Sequence, residues 1–315
     1  CGAEATHRSI YFGRRAKLMC QCAGESARES GELQRFARGI DPLPSRSLLL
    51  QIATLVGLVI VGLIALSGSP RSFAAEQQSD IPAWLKAHVG DGEGKISQVV
   101  LQRARAHYLQ KLGEGAVKNP CYFAMDATRP AGFGRRFYVI CEADRSFRAV
   151  PSGHGNGRNL KGIANFANGI RCAKNFSNAL DSKLTTGGAY VTAETRTSFK
   201  GYYRVSAGKN ELLIRSFLQF EGEGDTANAR ERAIGGHPAV VLKVQCRRKV
   251  PDSAYADDEG YVPFGTLVNY SGGRSNGCTT WTPPDSEKIF EMAKDRPTTL
   301  YIYPESDDID AVAQG

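Results

Sequence analysis

The chain has 315 residues, of which 42% are hydrophobic, so it can bury a core and is not an intrinsically disordered protein. Its formal net charge is +8, but residues 1–74, with nine Lys/Arg against five Asp/Glu, contribute +4 of it and leave +4 for the rest. Basic residues in that rest form short groups such as Arg135-Arg136, without a stripe interleaved with aromatic residues, so we expect no nucleic-acid partner.

An uncharged apolar segment indicates export. The nineteen residues from Leu48 to Leu66 follow Arg46 and are long enough to span a bilayer. The small residues of Ser72-Phe73-Ala74 suit signal-peptidase cleavage before Ala75. We therefore expect a signal peptide or an uncleaved inner-membrane anchor, with the remainder in the periplasm or cell envelope.

Export changes what the eight cysteines imply. Five of them follow the apolar segment into a compartment where thiols tend to pair, namely Cys121, Cys141, Cys172, Cys246 and Cys278. Because five is odd, the simplest arrangement has two disulfides, with the pairing left open, and one free thiol, which its glycine-rich surroundings favour as Cys278. This part contains no CxxC or HxxxH spacing, so we expect no metal site and no cofactor.

Two helices are predicted before the strands begin. Asp80-Ile81-Pro82 combines an N-cap residue with a following proline and predicts a short helix to about His88. From Lys95 to Leu112 apolar residues recur at helical spacing, and Gly113 follows as a C-terminal cap, which predicts an amphipathic helix. His107 lies on this helix among Arg and Gln residues and is expected to be exposed.

From Cys121 onward the sequence pattern predicts a mainly β core, because short runs rich in Tyr, Phe, Val and Ile alternate with glycine, proline and polar clusters. The strand candidates are Tyr122–Met125, Arg136–Cys141, Phe147–Pro151, Ala189–Thr192, Leu212–Phe220, Ala239–Cys246 and Thr299–Tyr303. Asn228–Ala233 predicts a helical turn, and Ser286–Lys294 predicts one C-terminal helix. Arg247–Tyr270, acidic and loop-like at its centre, predicts a surface insertion.

These elements predict one folded unit behind the export segment. The first residues are polar and without pattern, and we expect them to be unstructured or an over-extended reading frame. The predicted division is 1–46 for that region, 47–75 for the signal peptide or anchor, 76–118 for a helical lead-in, 119–305 for the mainly β domain, and 306–315 for a disordered tail.

A glycine-flanked cysteine is the strongest candidate for chemistry. Cys278 follows Gly277 in the run Gly273–Trp281. A cysteine attacks a carbonyl as the thiolate, so it needs a base, backbone N–H groups for the oxyanion and little steric cover. His237, in Gly235-Gly236-His237-Pro238, is the candidate base, because imidazole titrates near neutral pH. The alternative is a structural thiol or one half of a disulfide.

Other polar residues are candidate substrate contacts. His154 lies in a glycine-rich turn after a strand, where it either faces the site or orients the cysteine loop, or is hydrogen-bonded within the turn. The remaining candidates are Tyr190, Asn178, Arg274, Ser275 and Asn276, and the Arg274 guanidinium suits a carboxylate. For Tyr190, Asn178 and Arg274, packing or turn stabilisation is an equal alternative.

The order of several pieces carries a resemblance. These pieces are Tyr122–Asp126 with Arg136–Ile140, the turn Ser152–Gly157, the stretch from Phe176 through Ser182, Gly188, Tyr190 and Thr192, the run Asn228–Ile234 ahead of His237, and Gly273-Arg274-Ser275 with Gly277-Cys278. Together, behind an export signal, they resemble the L,D-transpeptidase (YkuD-like) catalytic domain in its larger variant from Gram-negative envelope proteins, over residues 95–304.

The resemblance implies a fold and a reaction. The fold would be a β-sandwich or barrel with N-terminal helices and one C-terminal helix. Cys278 would attack the amide between the diamino acid and the terminal D-Ala of a peptidoglycan stem tetrapeptide. His237 would act as base and then as acid, and backbone N–H groups at Gly277 and Cys278 would form the oxyanion hole. An amine of a second stem peptide would then take the acyl group.

Two positions depart from the family pattern. Asn276 stands where most members have histidine, and Pro238 follows the catalytic histidine where a small residue is usual. The gap of 41 positions between His237 and Cys278 is also long, which we attribute to the predicted insertion. The alternatives to transfer are therefore carboxypeptidase action on the same peptides and a catalytically inactive wall-binding module.

Overall fold

The computed structural model describes residues 81–130, 135–270 and 273–309. Regions 1–46 and 47–75 lie outside these ranges, and the predictions made for them stay predictions. Within the described ranges, no helix is long and apolar enough to cross a membrane. The structure there is mainly β with few helices, as the sequence predicts.

The elements of the described ranges are numbered here in chain order. The helices are α1 (Ala83–Lys86), α2 (Gln98–Gly113) and α3 (Pro283–Ala293). The strands are β1 (Cys121–Asp126), β2 (Arg135–Cys141), β3 (Ser146–Pro151), β4 (His154–Gly155), β5 (Asn159–Leu160), β6 (Ala164–Asn165), β7 (Gly188–Ser206), β8 (Lys209–Gly222), β9 (Gly235–Pro238), β10 (Val240–Lys249), β11 (Tyr261–Asn269), β12 (Arg274–Ser275), β13 (Thr279–Trp281) and β14 (Thr299–Tyr303).

Most strands belong to one mixed sheet. Its order is β13-β9-β8-β7-β14-β1-β2-β3, and β10 and β11 attach through β7. The pairs β1 with β14, β9 with β13 and β7 with β11 are parallel, whereas the long β7–β8 hairpin is antiparallel. The sheet therefore brings β9 and β13, which are far apart in the chain, side by side.

The centre of the sheet is buried on both faces. On β1, Phe123 and Met125 contribute to the core under α3, while Tyr122 and Ala124 contribute to the core under α2. Successive strand residues point to opposite faces, so a strand covered on both sides is apolar throughout. This explains why β1 reads as a continuous apolar run.

Helix α2 buries a histidine that the sequence predicted to be exposed. Its buried residues, Val100, Leu101, Ala104, His107 and Tyr108, recur at helical spacing on one face. The His107 side chain is 8% exposed, and its Nε2–H donates to the carbonyl oxygen of Tyr190 at 3.1 Å. The exposure prediction was wrong because a backbone acceptor on β7 satisfies the ring within the packed face.

One disulfide is present among the described residues. It joins Cys121 to Cys141, which are opposite each other on β1 and β2. The sequence predicted two disulfides, so only one of them is found in the described ranges. The Cys278 thiol is free, as predicted.

The predicted insertion at Arg247–Tyr270 contains more strand than expected. Only its centre, residues 250–260, is a loop, and the flanks belong to β10 and β11. Because β9 runs on into β10 after Ala239, the pairings β8–β9, β10–β11, β11–β7 and β7–β8 close a ring. Leu213, Val240 and Leu242 form a small core there.

The predicted tail 306–315 is ordered at its described end. Asp308 accepts hydrogen bonds from the Arg103 guanidinium at 2.6 and 2.9 Å. Arg103 lies on α2, so this ion pair holds residues up to 309 against the helix. The expectation of a disordered tail is wrong for this part, and 310–315 lie outside the described residues.

Candidate active site

Parallel pairing of β9 with β13 brings the candidate base and nucleophile together. His237 is paired with Thr280, and Cys278 immediately precedes β13, two residues before Thr280. Opposed residues and residues two apart along a strand share a face. Cys278 directly precedes the strand that pairs with β9, so the topology brings it close to His237 at one edge of the sheet.

The opposite face of these strands anchors the pair. Trp281 is fully buried and packs edge-on against Phe137 with ring centroids 5.1 Å apart. Gly236 makes room for it, since a Cβ at that position would lie 2.0 Å from the indole ring. Packing against the core thus fixes β9 and β13 on one face, and His237 and Cys278 face away from this core.

The cysteine loop is held in a conformation that requires glycine. Gly277 has φ +117°, a region that residues with a side chain rarely adopt, and a Cβ there would lie 2.9 Å from the carbonyl oxygen of Leu184. The Ser275 hydroxyl donates to the Cys278 carbonyl at 2.5 Å and accepts from the Gly277 amide at 3.2 Å. Ser275 is buried and shapes the loop, and its substrate-binding role stays a prediction.

The imidazole of His237 is fixed in one tautomer. Its Nδ1 lies 3.0 Å from the carbonyl oxygen of Pro238, which can only accept, so Nδ1 carries the proton and Nε2 keeps a lone pair. The pKa of His237 is lowered to about 4, chiefly by burial and also by the charges of Arg215 and Lys200, while the hydrogen bond to the Pro238 carbonyl raises it. The ring is thus neutral at pH 7 with Nε2 ready to accept a proton.

Pro238 is compatible with this arrangement. A residue before proline favours extended backbone, and His237 lies in a strand. Proline lacks the N–H but keeps the carbonyl that orients the imidazole. The departure from the family pattern at this position therefore preserves the one contact that sets the tautomer.

Cys278 rests as a thiol. Its side chain is 8% exposed, and burial raises its pKa, opposed by backbone groups of Gly235 and by the charges of Arg215 and Arg232. Its Sγ–H donates to the carbonyl oxygen of Ala233 at 3.6 Å. Among the described residues, no hydrogen bond joins this thiol to His237, so the resting pair is a neutral thiol beside a neutral imidazole.

His154 cannot contact a substrate in this structure. It is fully buried, its Nδ1 lies 2.6 Å from the Arg136 guanidinium, and its Nε2 lies 3.0 Å from the carbonyl of Gly169. Burial and the Arg136 charge lower the pKa of His154 to about 3. The buried ring makes no substrate contact here, and its substrate-binding role stays a prediction. The option that His154 orients the cysteine loop agrees with the pairing of β4 with β12, and its two ring hydrogen bonds agree with a structural role in the turn.

Tyr190 and Asn178 also serve the scaffold. Tyr190 is buried, and its hydroxyl donates to the carbonyl of Thr186 at 2.8 Å, which agrees with the packing alternative. Its contact with substrate stays a prediction. Asn178 is exposed at the surface, and its side-chain amide donates to the carbonyl of Asp225 at 2.8 Å. Asn228 in turn donates to the Asn178 carbonyl at 2.7 Å, which ties this loop to the turn before β9.

Arg274 and Asn276 remain at the surface of the cysteine loop. Both are exposed, and Arg274 donates from one guanidinium nitrogen to the carbonyl of Asn168 at 2.8 Å. Arg274 has five N–H donors and this bond uses one of its nitrogens, so the exposed guanidinium keeps the capacity to bind a carboxylate.

Arg232 is a site residue that the sequence reasoning did not single out. Its guanidinium donates to the carbonyl of Leu184 at 2.8 Å and to the Ser182 hydroxyl at 3.2 Å, and it also bonds the Thr186 hydroxyl. These bonds clamp loop 182–186 against Gly277, beside the nucleophile. The signal was present, because Arg232 belongs to the Asn228–Ile234 run that carries part of the resemblance.

Comparisons with known proteins leave the family open. No family model matches the chain, and a search of curated proteins finds no match. Within the described residues, no group of three or more His, Cys, Asp and Glu side chains is placed to hold a metal ion.

Proposed function

We propose that this protein is an L,D-transpeptidase that forms an acyl-enzyme at Cys278 with a peptidoglycan stem peptide. The observation that carries the proposal is the orientation of His237. Its Nδ1–H is held by the Pro238 carbonyl on the strand beside Cys278, which leaves Nε2 as the basic atom on the face of the nucleophile. A free, glycine-preceded thiol supports the same reading.

The resting protonation states define the first step. Because thiol and imidazole are both neutral, the Sγ–H proton must leave the Ala233 carbonyl and move to Nε2 as sulfur attacks the carbonyl carbon. The charge of Arg232 lowers the pKa of the thiol and so favours the developing thiolate. The imidazolium then returns the proton to the leaving amine of D-Ala, and a thioester forms.

The oxyanion must be stabilised mainly at Cys278. The Gly277 amide already donates to the Ser275 hydroxyl, so it is not available as the oxyanion-hole donor that the sequence predicted. The amide of Cys278 lies beside its own sulfur, and we propose it as the donor to the developing oxyanion. Gly277 thus acts through its backbone conformation.

The second step takes the acyl group to an acceptor. An incoming side-chain amine gives its proton to His237 Nε2 and attacks the thioester, which restores the thiol and forms an L,D cross-link. Water in place of the amine would give a tripeptide, the carboxypeptidase outcome.

Fold and compartment are part of the proposal. The closed ring of β7, β8, β9–β10 and β11, with helices flanking the central sheet, is in keeping with an L,D-transpeptidase-like barrel. The Cys121–Cys141 disulfide supports an oxidising compartment such as the periplasm. Segment 48–66 would place the protein at the inner membrane if it is not cleaved.

The proposal is tested by acylation. The purified full-length chain is incubated with a tetrapeptide donor or a carbapenem, and the mass of the peptide containing Cys278 is measured. We expect an adduct that Cys278→Ala abolishes and that the matched variant Cys246→Ser retains. An unmodified wild-type protein, under conditions that acylate a control L,D-transpeptidase, would contradict the proposal.

Product analysis separates the alternatives. With donor and acceptor peptides present, cross-linked dimers indicate transfer, and tripeptide alone indicates a carboxypeptidase. Binding to isolated peptidoglycan without any adduct would indicate the inactive wall-binding module.

A further inference from the structure

The sheet near Cys278 also carries Arg215, an arginine with no acidic partner among the described residues. Arg215 lies on β8 two residues before Phe217, and the Phe217 ring stacks on the His237 imidazole with centroids 6.3 Å apart. Because residues two apart on a strand share a face, Arg215 lies on the face of His237. Arg215 is thus on the sheet face of the candidate base, and its charge lowers the pKa of both His237 and Cys278.

A lysine on the neighbouring strand adds a second positive charge. Lys200 lies on β7 two residues after Ser198, which is paired with Arg215. Burial lowers the pKa of Lys200, and so does the charge of Arg215. Lys200 in turn lowers the pKa of His237. Lys200 is the extra residue of a bulge between Phe199 and Gly201, next to the Ser198–Arg215 pair, so the two cations lie close together on adjacent strands of the hairpin.

These two cations differ from others of the same hairpin and its neighbourhood. Arg196 pairs with Glu194 at 2.7 Å, and Arg230 pairs with the same carboxylate at 2.9 Å. Among the described residues, no carboxylate lies within salt-bridge distance of Arg215 or Lys200. Both side chains are half-buried, so two like charges are held together, partly desolvated and without compensation. Such an arrangement favours binding of an anion.

We propose that Arg215 and Lys200 form a subsite for the terminal α-carboxylate of the peptide that Cys278 attacks. A group held beside both His237 and Cys278 must be only a few bonds from the reacting carbonyl. In a peptide, the terminal carboxylate is separated from the last amide carbonyl carbon by one nitrogen and one Cα. The subsite thus selects the final amide bond of a peptide chain. Binding of the carboxylate does not depend on the proposed function, and only the acylation of Cys278 that follows rests on it.

The test compares two alkylating reagents that differ in one charge. Iodoacetate and iodoacetamide both transfer a two-carbon group to a thiolate and release iodide, but only iodoacetate carries a carboxylate. The rate of Cys278 modification in the full-length chain is followed by peptide mass mapping. The ratio of the two rates, normalised to a small free thiol, cancels changes in the pKa of Cys278 and isolates recognition of the carboxylate.

We expect wild type to favour iodoacetate and Arg215→Gln to lower the ratio about tenfold, since a hydrogen bond to a charged group is worth roughly 1.5 kcal/mol or more. Arg215→Lys keeps the charge and should keep most of the preference. The matched control is Arg204→Gln, an exposed arginine of the same strand as Lys200, which should leave the ratio unchanged. Lys200→Gln provides a second loss of charge if Arg215→Gln does not fold.

A ratio that is the same in wild type, Arg215→Gln and Lys200→Gln would overturn the subsite, as would a thiol that neither reagent reaches. The same variants are then acylated with a donor peptide ending in a carboxylate or in an amide, and the preference should fall in parallel. If Cys278 shows the iodoacetate preference but no peptide acylates it, the subsite stands and the proposed function fails. If both donors acylate equally, the proposed function stands and the subsite fails.

Discussion

Two histidines that each follow a glycine, His154 and His237, are alike in burial and differ in what they can do. Both rings are neutral, because burial lowers the pKa to about 3 for His154 and about 4 for His237. Arg136 can only donate, so His154 must accept at Nδ1 and donate from Nε2 to Gly169, and both nitrogens are occupied. His237 uses only its Nδ1–H, which donates to the carbonyl oxygen of Pro238.

The hydrogen-bond partners of the ring nitrogens, more than burial, therefore decide which histidine can act as a base. A neutral imidazole with one free lone pair can accept a proton, whereas one with both nitrogens engaged by backbone and guanidinium is a structural cross-link. The predictions below test this difference between His154 and His237.

The largest effect is expected for the base itself. His237→Gln removes the Nε2 lone pair, so the rate of Cys278 acylation should fall about 10²–10⁴-fold, the usual contribution of general acid–base catalysis. The rate is measured by intact-protein mass spectrometry against wild type, with circular dichroism to establish folding. A folded variant that acylates at the wild-type rate would remove His237 from the mechanism.

His154→Ala should act on stability instead. It leaves the buried Nη2 of Arg136 without its acceptor, while the other guanidinium nitrogens keep their backbone carbonyl partners. An unsatisfied buried group costs about 1–3 kcal/mol. Urea unfolding should show this loss, while His237→Gln, which gives up one hydrogen bond, should lose less, about 0.5–1.5 kcal/mol. Equal losses in the two variants would contradict the contrast.

The pH dependence of stability should show the same two groups. Each has a folded pKa below its ordinary value of about 6.5, so the unfolded chain binds protons first as pH falls. Their contribution is present above pH 6.5 and is lost progressively as pH falls towards about 4 for His237 and about 3 for His154. His154→Ala should flatten this part of the curve of unfolding free energy against pH, and an unchanged slope would argue against a neutral buried His154.

The smallest effect is expected at Pro238. Any residue there supplies the carbonyl that orients His237, so Pro238→Gly should change the acylation rate less than about threefold while lowering stability by about 0.4–1 kcal/mol through the freer unfolded chain. A large gain in rate would mean that proline holds the imidazole in a poor position.

Much of this arrangement could be predicted from local sequence, and the misses have physical causes. The strands β1, β2 and β14 follow from their apolar runs, and the need for glycine at 277 follows from its place before the cysteine. β11 was missed because Pro263 interrupts its run, and proline is rare inside strands.

The roles of His154, Tyr190 and His107 could not be predicted, because their hydrogen-bond partners come from distant parts of the chain. Arg136 reaches His154 only once β2 and the turn after β3 are folded together. The unpaired state of Arg215 likewise depends on which carboxylates the sheet brings near it. Sequence pattern predicts elements, but charge balance at a site is a property of the packed sheet.

The central claim, that His237 rests neutral with a free Nε2, is tested most directly by nitrogen-15 NMR of the histidine rings across a pH titration. We expect His237 as the Nδ1–H tautomer with a pKa of about 4, and His154 as the Nε2–H tautomer with a pKa of about 3. His237 found as the Nε2–H tautomer, or titrating near its ordinary pKa of about 6.5, would contradict the account.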